Sequence, residues 1–203
     1  MECENMKLND ANTVAASNGV HKDINKKNNP AFKWAFIIIG AVVVVMLAMF
    51  FIKTFVISVV TVSGTSMEPA IREGESWLIN KTNQNYQKND IITFYSNEDR
   101  KNAVVSRIIA VEGDTVYIDF NSGDIYVNNE MIDEPYVSEK TKTGGKYITS
   151  LIEDGKYGAG TPIVVEKDHV FVMGDNRNNS RDSREFGPIS TSSVFGIIFK
   201  KIK

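Results

Sequence analysis

Nineteen consecutive residues, Trp34 to Ile52, carry no charge, and Lys33 and Lys53 bracket them. As a helix they span about 28 Å, close to the roughly 30 Å hydrocarbon core of a bilayer. Val42 to Val45 are β-branched, yet in lipid a helix is the only open-chain form that pairs all of its own backbone groups. Trp34 suits an interfacial anchor. A cleaved secretory leader has a short n-region, an apolar stretch of about 7–15 residues and a small-x-small site directly behind it. Here residues 1–33 precede a longer run and no such site follows at once, so 34–53 reads as an uncleaved transmembrane helix.

Past Thr54 the period shortens. Residues 55–62, Phe-Val-Ile-Ser-Val-Val-Thr-Val, are rich in β-branched side chains and end near Gly64. Comparable short runs recur at 77–79, 91–95, 104–111, 116–118, 125–127, 170–173 and 194–199. Turn-forming stretches separate them, among them Glu112-Gly113-Asp114 and Asn121-Ser122-Gly123-Asp124. Many short strands with no strong 3.6-residue period predict an all-β domain over 54–203. Residues 138–162 hold five glycines and Pro162 with weak periodicity, and read as a surface insertion or small subdomain. The 55–62 strand follows the membrane run directly and has two readings: it packs into the core, or it faces lipid headgroups.

Flanking charge sets an orientation. Lys22, Lys26, Lys27 and Lys33 stand against Asp23 before the apolar run, whereas no Lys or Arg lies between Lys53 and Arg72 behind it. The positive-inside rule then keeps 1–33 in the cytoplasm and exports 54–203, a single pass through the cell membrane. The tail, rich in Asn and Lys and poor in apolar residues, reads as disordered. The exported part has 17 Lys+Arg against 21 Asp+Glu, a net charge of −4, which argues against nucleic acid as a partner. Its roughly 150 residues suffice for one core without staples. The only cysteine is Cys3, so that part has neither a disulfide nor a thiol nucleophile.

Two segments carry candidate chemistry. Ser66, in Ser66-Met67-Glu68-Pro69, is either a nucleophile or a helix-capping or turn hydroxyl. A serine nucleophile needs a neighbouring base. His169 heads an apolar strand, which suits a structural histidine; a desolvated lysine is the other solution. The second segment is 174–187, Gly-Asp-Asn-Arg-Asn-Asn-Ser-Arg-Asp-Ser-Arg-Glu-Phe-Gly. Such a density of donors and acceptors predicts a loop held by many hydrogen bonds. It is not a calcium loop, because Arg177 falls where that pattern requires Asp or Asn. Gly144-Gly145-Lys146 lacks the earlier Gly and the following Ser/Thr of a phosphate loop. No metal or cofactor is expected.

The anchor, Ser66-Met67-Glu68-Pro69, Asp90-Ile91-Ile92-Thr93-Phe94, the 107–116 run Arg-Ile-Ile-Ala-Val-Glu-Gly-Asp-Thr-Val and the 174–187 run follow one another in a fixed order. In that order the sequence resembles the type I signal peptidases, in their bacterial single-anchor form, over roughly residues 30–203. The resemblance implies an all-β peptidase domain on one N-terminal transmembrane helix. It implies serine endoproteolysis of exported preproteins behind small residues at −1 and −3, with preprotein signal peptides and membrane lipid as partners. It makes Ser66 the nucleophile, with its backbone N–H as an oxyanion donor. Gly64 stands where some relatives place a hydroxyl as second donor. Ser180 matches a serine that holds the catalytic lysine, and Asp182, Arg184 and Arg107 match residues that shape the site by ion pairing. Ala70 replaces a usual Thr and Asn89 a usual Gly.

One departure touches the chemistry. The family's general-base lysine directly precedes the arginine matched by Arg107, and this chain has Ser106 there. A serine hydroxyl has no lone pair of suitable basicity, and a positioned base typically contributes about 10²–10⁴-fold. Lys101 lies some 16 Å upstream if the strand is extended, and His169 is a weaker substitute. Two expectations follow: a working peptidase with a displaced base, or a catalytically silent relative that binds preproteins or assists assembly of surface proteins.

Overall fold

The structure is a computed structural model that describes residues 30–96, 102–158 and 160–203. The expectation for the tail, with Cys3, therefore lies almost wholly outside the described residues, as does Lys101. The chain divides into two compact units, 1–44 and 45–203. Helix α1 (Pro30–Phe51) buries none of its side chains against protein, and it is long and apolar enough to cross a membrane. A π-helical turn, Ile52–Val56, follows it.

The rest is mostly β. In chain order the strands are β1 (Ile57–Thr61), β2 (Ser76–Asn80), β3 (Ile91–Tyr95), β4 (Ala103–Val111), β5 (Thr115–Asp119), β6 (Asp124–Val127), β7 (Glu130–Met131), β8 (Ile163–Val164), β9 (His169–Met173), β10 (Ile189–Ser190) and β11 (Val194–Lys201). One sheet has the order β1-β2-β11-β3-β4-β9-β10, the other β7-β6-β5-β8. All pairings are antiparallel.

The eight runs expected as strands all contain one. The first begins later than its sequence pattern, because Phe55 and Val56 belong to the π-helical turn. Val60 and Val62 pack into a core cluster, as the core reading has it, while Val59 on the strand and Phe55 in the turn before it are exposed. Such alternation follows from the period-two geometry of a strand. β4 is covered on both faces. Ile108 joins Ile92, Phe94, Val170 and Val172 on one side, and Ile109 and Ala110 join Val116, Ile118, Ile125 and Phe171 on the other. Burial on both sides explains why 104–111 reads as a nearly continuous apolar run, and a register shift between Ile108 and Ala110 lets neighbouring residues serve different clusters.

The 138–162 segment reads in the sequence as a surface insertion or a small subdomain. It holds helix α2 (Lys146–Glu153), whose Ile148 is fully buried in the core with Tyr147 and Leu151 against it. The sequence disguised this helix: it has β-branched Ile148, Thr149 and Ile152, and Gly145 at its start offers no side-chain cap. The cap comes instead from Glu185, 39 residues away, whose carboxylate accepts from Lys146 N at 3.0 Å. Asn89, in the position the resemblance assigns to glycine, has φ 74°, a left-handed conformation that asparagine tolerates better than most residues.

Ile148→Ala should lower stability by about 2–5 kcal/mol, because it opens a cavity in a closed core; guanidinium denaturation of the full chain in detergent measures this. Acid should loosen the same region. Hydrogen bonding from the Lys146 backbone, outweighing burial, with the Lys146 and Arg181 side chains adding to it, holds the Glu185 carboxyl below its ordinary value of 4.5. Its stabilisation is therefore complete above that value and lost as pH falls through the lower folded one. Glu185→Gln should flatten the decline of stability as pH falls below that ordinary value.

Candidate active site

Ser66 lies on a turn that begins behind β1. The next side chain, Met67, is fully buried with Val62, Ile71, Ile79 and Val105. Met67 pins the turn inward and leaves Ser66 half-buried at the surface. The 174–187 loop clamps this turn from the other side. Asn176 N donates to the Ser66 carbonyl at 2.9 Å, Asn176 Nδ2 to the Thr65 carbonyl at 3.0 Å, and Asn179 Nδ2 to Thr65 Oγ1 at 2.9 Å.

Gly174 is where the pieces meet. A Cβ added there would collide with the Ser180 hydroxyl and would lie 2.6 Å from the Ser66 carbonyl oxygen. β4 and β9 pair Arg107 with Met173. One further step in that register sets Ser106 opposite Gly174, and residues directly opposite have Cβ positions about 4.5–5.5 Å apart on one face. Ser66 through its carbonyl and Ser180 through its hydroxyl thus meet at Gly174, and Ser106 lies next to the last β4–β9 pair. Ser106 is fully buried, and neither its hydroxyl nor that of Ser180 has a hydrogen-bond partner among the described residues.

The ion pairs form two separate clamps. Asp182 Oδ1 accepts from Arg184 Nε at 2.8 Å and Oδ2 from Arg184 Nη2 at 2.7 Å. The same carboxylate accepts from Gly174 N at 3.0 Å. Arg107 pairs instead with Asp175, Nε to Oδ1 at 2.9 Å and Nη2 to Oδ2 at 2.7 Å. Its guanidinium lies 4.0 Å from the centre of the Tyr136 ring, a cation–π arrangement. Burial pulls the Arg107 guanidinium down, but Asp175 outweighs it and holds the group above its ordinary range. Burial, reinforced by neighbouring Glu134, pushes the Tyr136 phenol well up.

Sequence reasoning did not single out Asp175, Asn176, Asn179 or the Arg177–Glu134 pair. The first three lie inside the donor-rich run, so their importance was implicit in its density. Glu134 and Tyr136 had no local signal. Arg177 is almost completely buried; it donates to the Gly174 carbonyl at 3.1 Å through Nε and grips both Glu134 carboxylate oxygens.

Among the described residues no lysine or histidine side chain bonds to Ser66, Ser106 or Ser180. Lys81 donates to the Thr54 carbonyl, Lys88 pairs with Asp114, Lys146 with Glu185 and Lys201 with Glu75. His169 opens β9 at the end away from Gly174, roughly 16 Å along the strand at ~3.3 Å per residue. Its Nδ1 lies 2.7 Å from the Lys167 carbonyl, and it lines a different cavity with Tyr86, Glu112 and Asp168.

A groove of about 430 Å³ is lined by the 60–66 segment, by Ala103 to Val105 and, from the 174–187 loop, by Asn179, Arg181 and Phe186. Residues 60–61 of β1 and 103–105 of β4 border it on edges without a strand partner among the described residues, whereas Val62 and Gly64 have backbone groups bonded to Glu73, Gly74 and Glu75, and Thr65 to Glu68 and Asn176. β1 pairs only with β2, and β4 pairs with β9 only from Arg107 onward.

Residues 33–201 match the family model described as signal peptidase, peptidase S26. Signal peptidase I of Bacillus licheniformis is 36% identical over 86% of this chain and 89% of its own length. Signal peptidase I T of Bacillus subtilis is 34% identical over 91% of each chain. A crystal structure of a signal peptidase I from Enterococcus faecalis, 27% identical, aligns with a TM-score of 0.40 over 56% of this chain and 97% of its own. A β-rich domain behind one apolar helix and a match across nearly all of that length lead to one conclusion: the chain belongs to the signal peptidase family, peptidase S26.

Proposed function

We propose that this chain is a membrane-anchored serine endopeptidase that removes N-terminal signal peptides from exported preproteins, with Ser66 as its nucleophile. The observation that carries the residue assignment is the groove that Ser66 lines together with residues 60–61 of β1 and 103–105 of β4, neither of which has a strand partner on that edge among the described residues. An extended peptide laid there adds a strand and gains main-chain hydrogen bonds on both sides. Its scissile carbonyl then meets Ser66. The Ser66 hydroxyl attacks the carbonyl carbon, and the Ser66 backbone N–H receives the developing oxyanion. Such a donor is worth about 2.7–4 kcal/mol where one has been removed. Gly64 brings no hydroxyl, so no second side-chain donor comes from that position.

In this reading Asp182, Arg184 and Arg107 are positioning residues: their pairs hold Gly174 and its neighbours, and through them Ser66. Ser106 and Ser180 form the wall behind the nucleophile. Residues 1–33 are cytoplasmic, 34–53 cross the membrane and 54–203 lie outside. Exposed Phe55, Val59 and Phe199 offer the exported domain apolar contact with lipid. Such an arrangement brings the groove to a substrate that itself emerges from the bilayer.

Full-length protein with a purified preprotein should release the mature chain, and Ser66→Ala should abolish release, read by mass spectrometry of the new N-terminus. Ser106→Lys should raise the rate by about 10²-fold or more, the worth of a positioned base. A silent native chain beside a rapid Ser106→Lys would establish the competing reading, a preprotein-binding relative without turnover. Topology has its own assay: protease added to intact cells should digest 54–203 and spare 1–33, and the reverse pattern would invert the orientation.

A further inference from the structure

Among the described residues the side chain of Asn176 makes one hydrogen bond, and it reaches the peptide unit that carries the Ser66 N–H. Asn176 Nδ2 donates to the Thr65 carbonyl at 3.0 Å, across 111 residues of chain. The backbone N of the same residue donates to the next carbonyl, that of Ser66, at 2.9 Å. The Thr65 carbonyl also accepts from Glu68 N at 3.1 Å, a local turn bond. No described residue accepts from Ser66 N. One asparagine thus grips two successive carbonyls, and the N–H between them stays unpaired.

The bond between Thr65 and Ser66 is trans, and a trans peptide is planar, so its N–H points opposite to its C=O. Holding the Thr65 carbonyl toward Asn176 therefore turns Ser66 N–H away from Asn176. The turn has a different space on each side. Asn176 lines a cavity of about 330 Å³ with Glu68, Pro69 and Arg72, which Ser66 does not border; Ser66 lines the groove, which Asn176 does not border. A hydrogen bond accepted by the carbonyl also polarises the amide and strengthens its N–H as a donor. We propose that Asn176 is a positioning residue for the reaction: its side-chain amide orients and polarises the peptide between Thr65 and Ser66, so that Ser66 N–H faces the groove and receives the oxyanion. The proposal rests on the reading of Ser66 as nucleophile.

Asn176 is itself held on both sides. Before it, Asp175 pairs through both carboxylate oxygens with Arg107. After it, Arg177 is buried, donates to the Gly174 carbonyl and grips Glu134. Asn179 N donates to the Asn176 carbonyl at 2.9 Å. A side chain between two such anchors has little freedom left to lose, which is what a preorganised oxyanion donor requires of its support. The role also selects the residue type: aspartate has the same shape but, ionised, no N–H to give. Because Gly64 brings no hydroxyl, the direction of this one backbone donor weighs the more.

The test compares Asn176→Ala and Asn176→Asp in the detergent-solubilised full chain. It reads cleavage of a purified preprotein, in the Ser106→Lys chain if the native one does not turn over. It also reads the affinity of a peptide boronic acid with alanine at −1 and −3. The boronate adds to Ser66 Oγ without turnover and sets an oxygen where the oxyanion forms. Asn176→Ala should lower kcat by at least about tenfold with KM unchanged, toward the 10²–10³ that follows removal of an oxyanion donor. Boronate affinity should fall by the same factor as kcat/KM. Asn176→Asp should be the more damaging, because it sets a second acceptor against the Thr65 carbonyl. Preprotein affinity of Ser66→Ala should be the same with and without Asn176→Ala. A merely structural asparagine predicts the reverse order, with the isosteric Asp milder than Ala. That order, a rise in KM at constant kcat, unchanged boronate affinity, or variants that no longer fold would overturn the inference and leave Ser66 in place. Absence of a boronate adduct on the unsubstituted chain, together with no cleavage by Ser106→Lys, would remove the Ser66 assignment and the role of Asn176 with it.

Discussion

The Asp182 carboxylate is fully buried and accepts four N–H groups: the backbone and two side-chain nitrogens of Arg184, and the backbone N–H of Gly174. Removing two charges from water is costly, and only near-complete pairing offsets it. Here the pairing also fixes geometry. The bond to Gly174 ties the loop to the end of β9, and Gly174 in turn sets the spacing to Ser180, to the Ser66 carbonyl and, through the β4 register, to Ser106. Without that carboxylate the loop would lose its hold on the turn that bears Ser66.

The second clamp divides the work. Arg107 reaches across to Asp175, not Asp182, and donates to the Asn89 carbonyl at 3.1 Å. Asn89 N donates to the Ile108 carbonyl at 2.8 Å. The left-handed residue before β3 is thereby fastened to the strand that carries Ser106. Two neighbouring bidentate pairs, each of opposite charges, balance one another's charge within the region.

What could be read beforehand followed from local rules. Strands such as β3 and β4 advertise themselves through β-branched runs, and the anchor through length without charge. The donor-rich 174–187 stretch signalled a hydrogen-bonded loop because its composition permits little else. Partners across the chain were not legible. Nothing around Glu134 suggests that it would pair with Arg177, 43 residues on, and nothing in 145–153 reveals that Glu185 caps its helix. Position 106 was legible as a departure, because its neighbour Arg107 fixes the count; the state of its hydroxyl required the packing around Gly174.

The contact between Gly145 and the loop changes what kind of segment 138–162 is. A Cβ on Gly145 would lie 2.6 Å from the Arg184 carbonyl carbon and oxygen and from Glu185 N. The start of α2 rests directly on the backbone that holds the clamp, while Thr143 accepts from Arg184 Nη1 at 3.3 Å. In a chimera, residues 134–153 and 174–187 would have to be transplanted together, because each supplies the other's missing partners. A stretch that reads as an ornament in one dimension is in three dimensions half of a two-part joint.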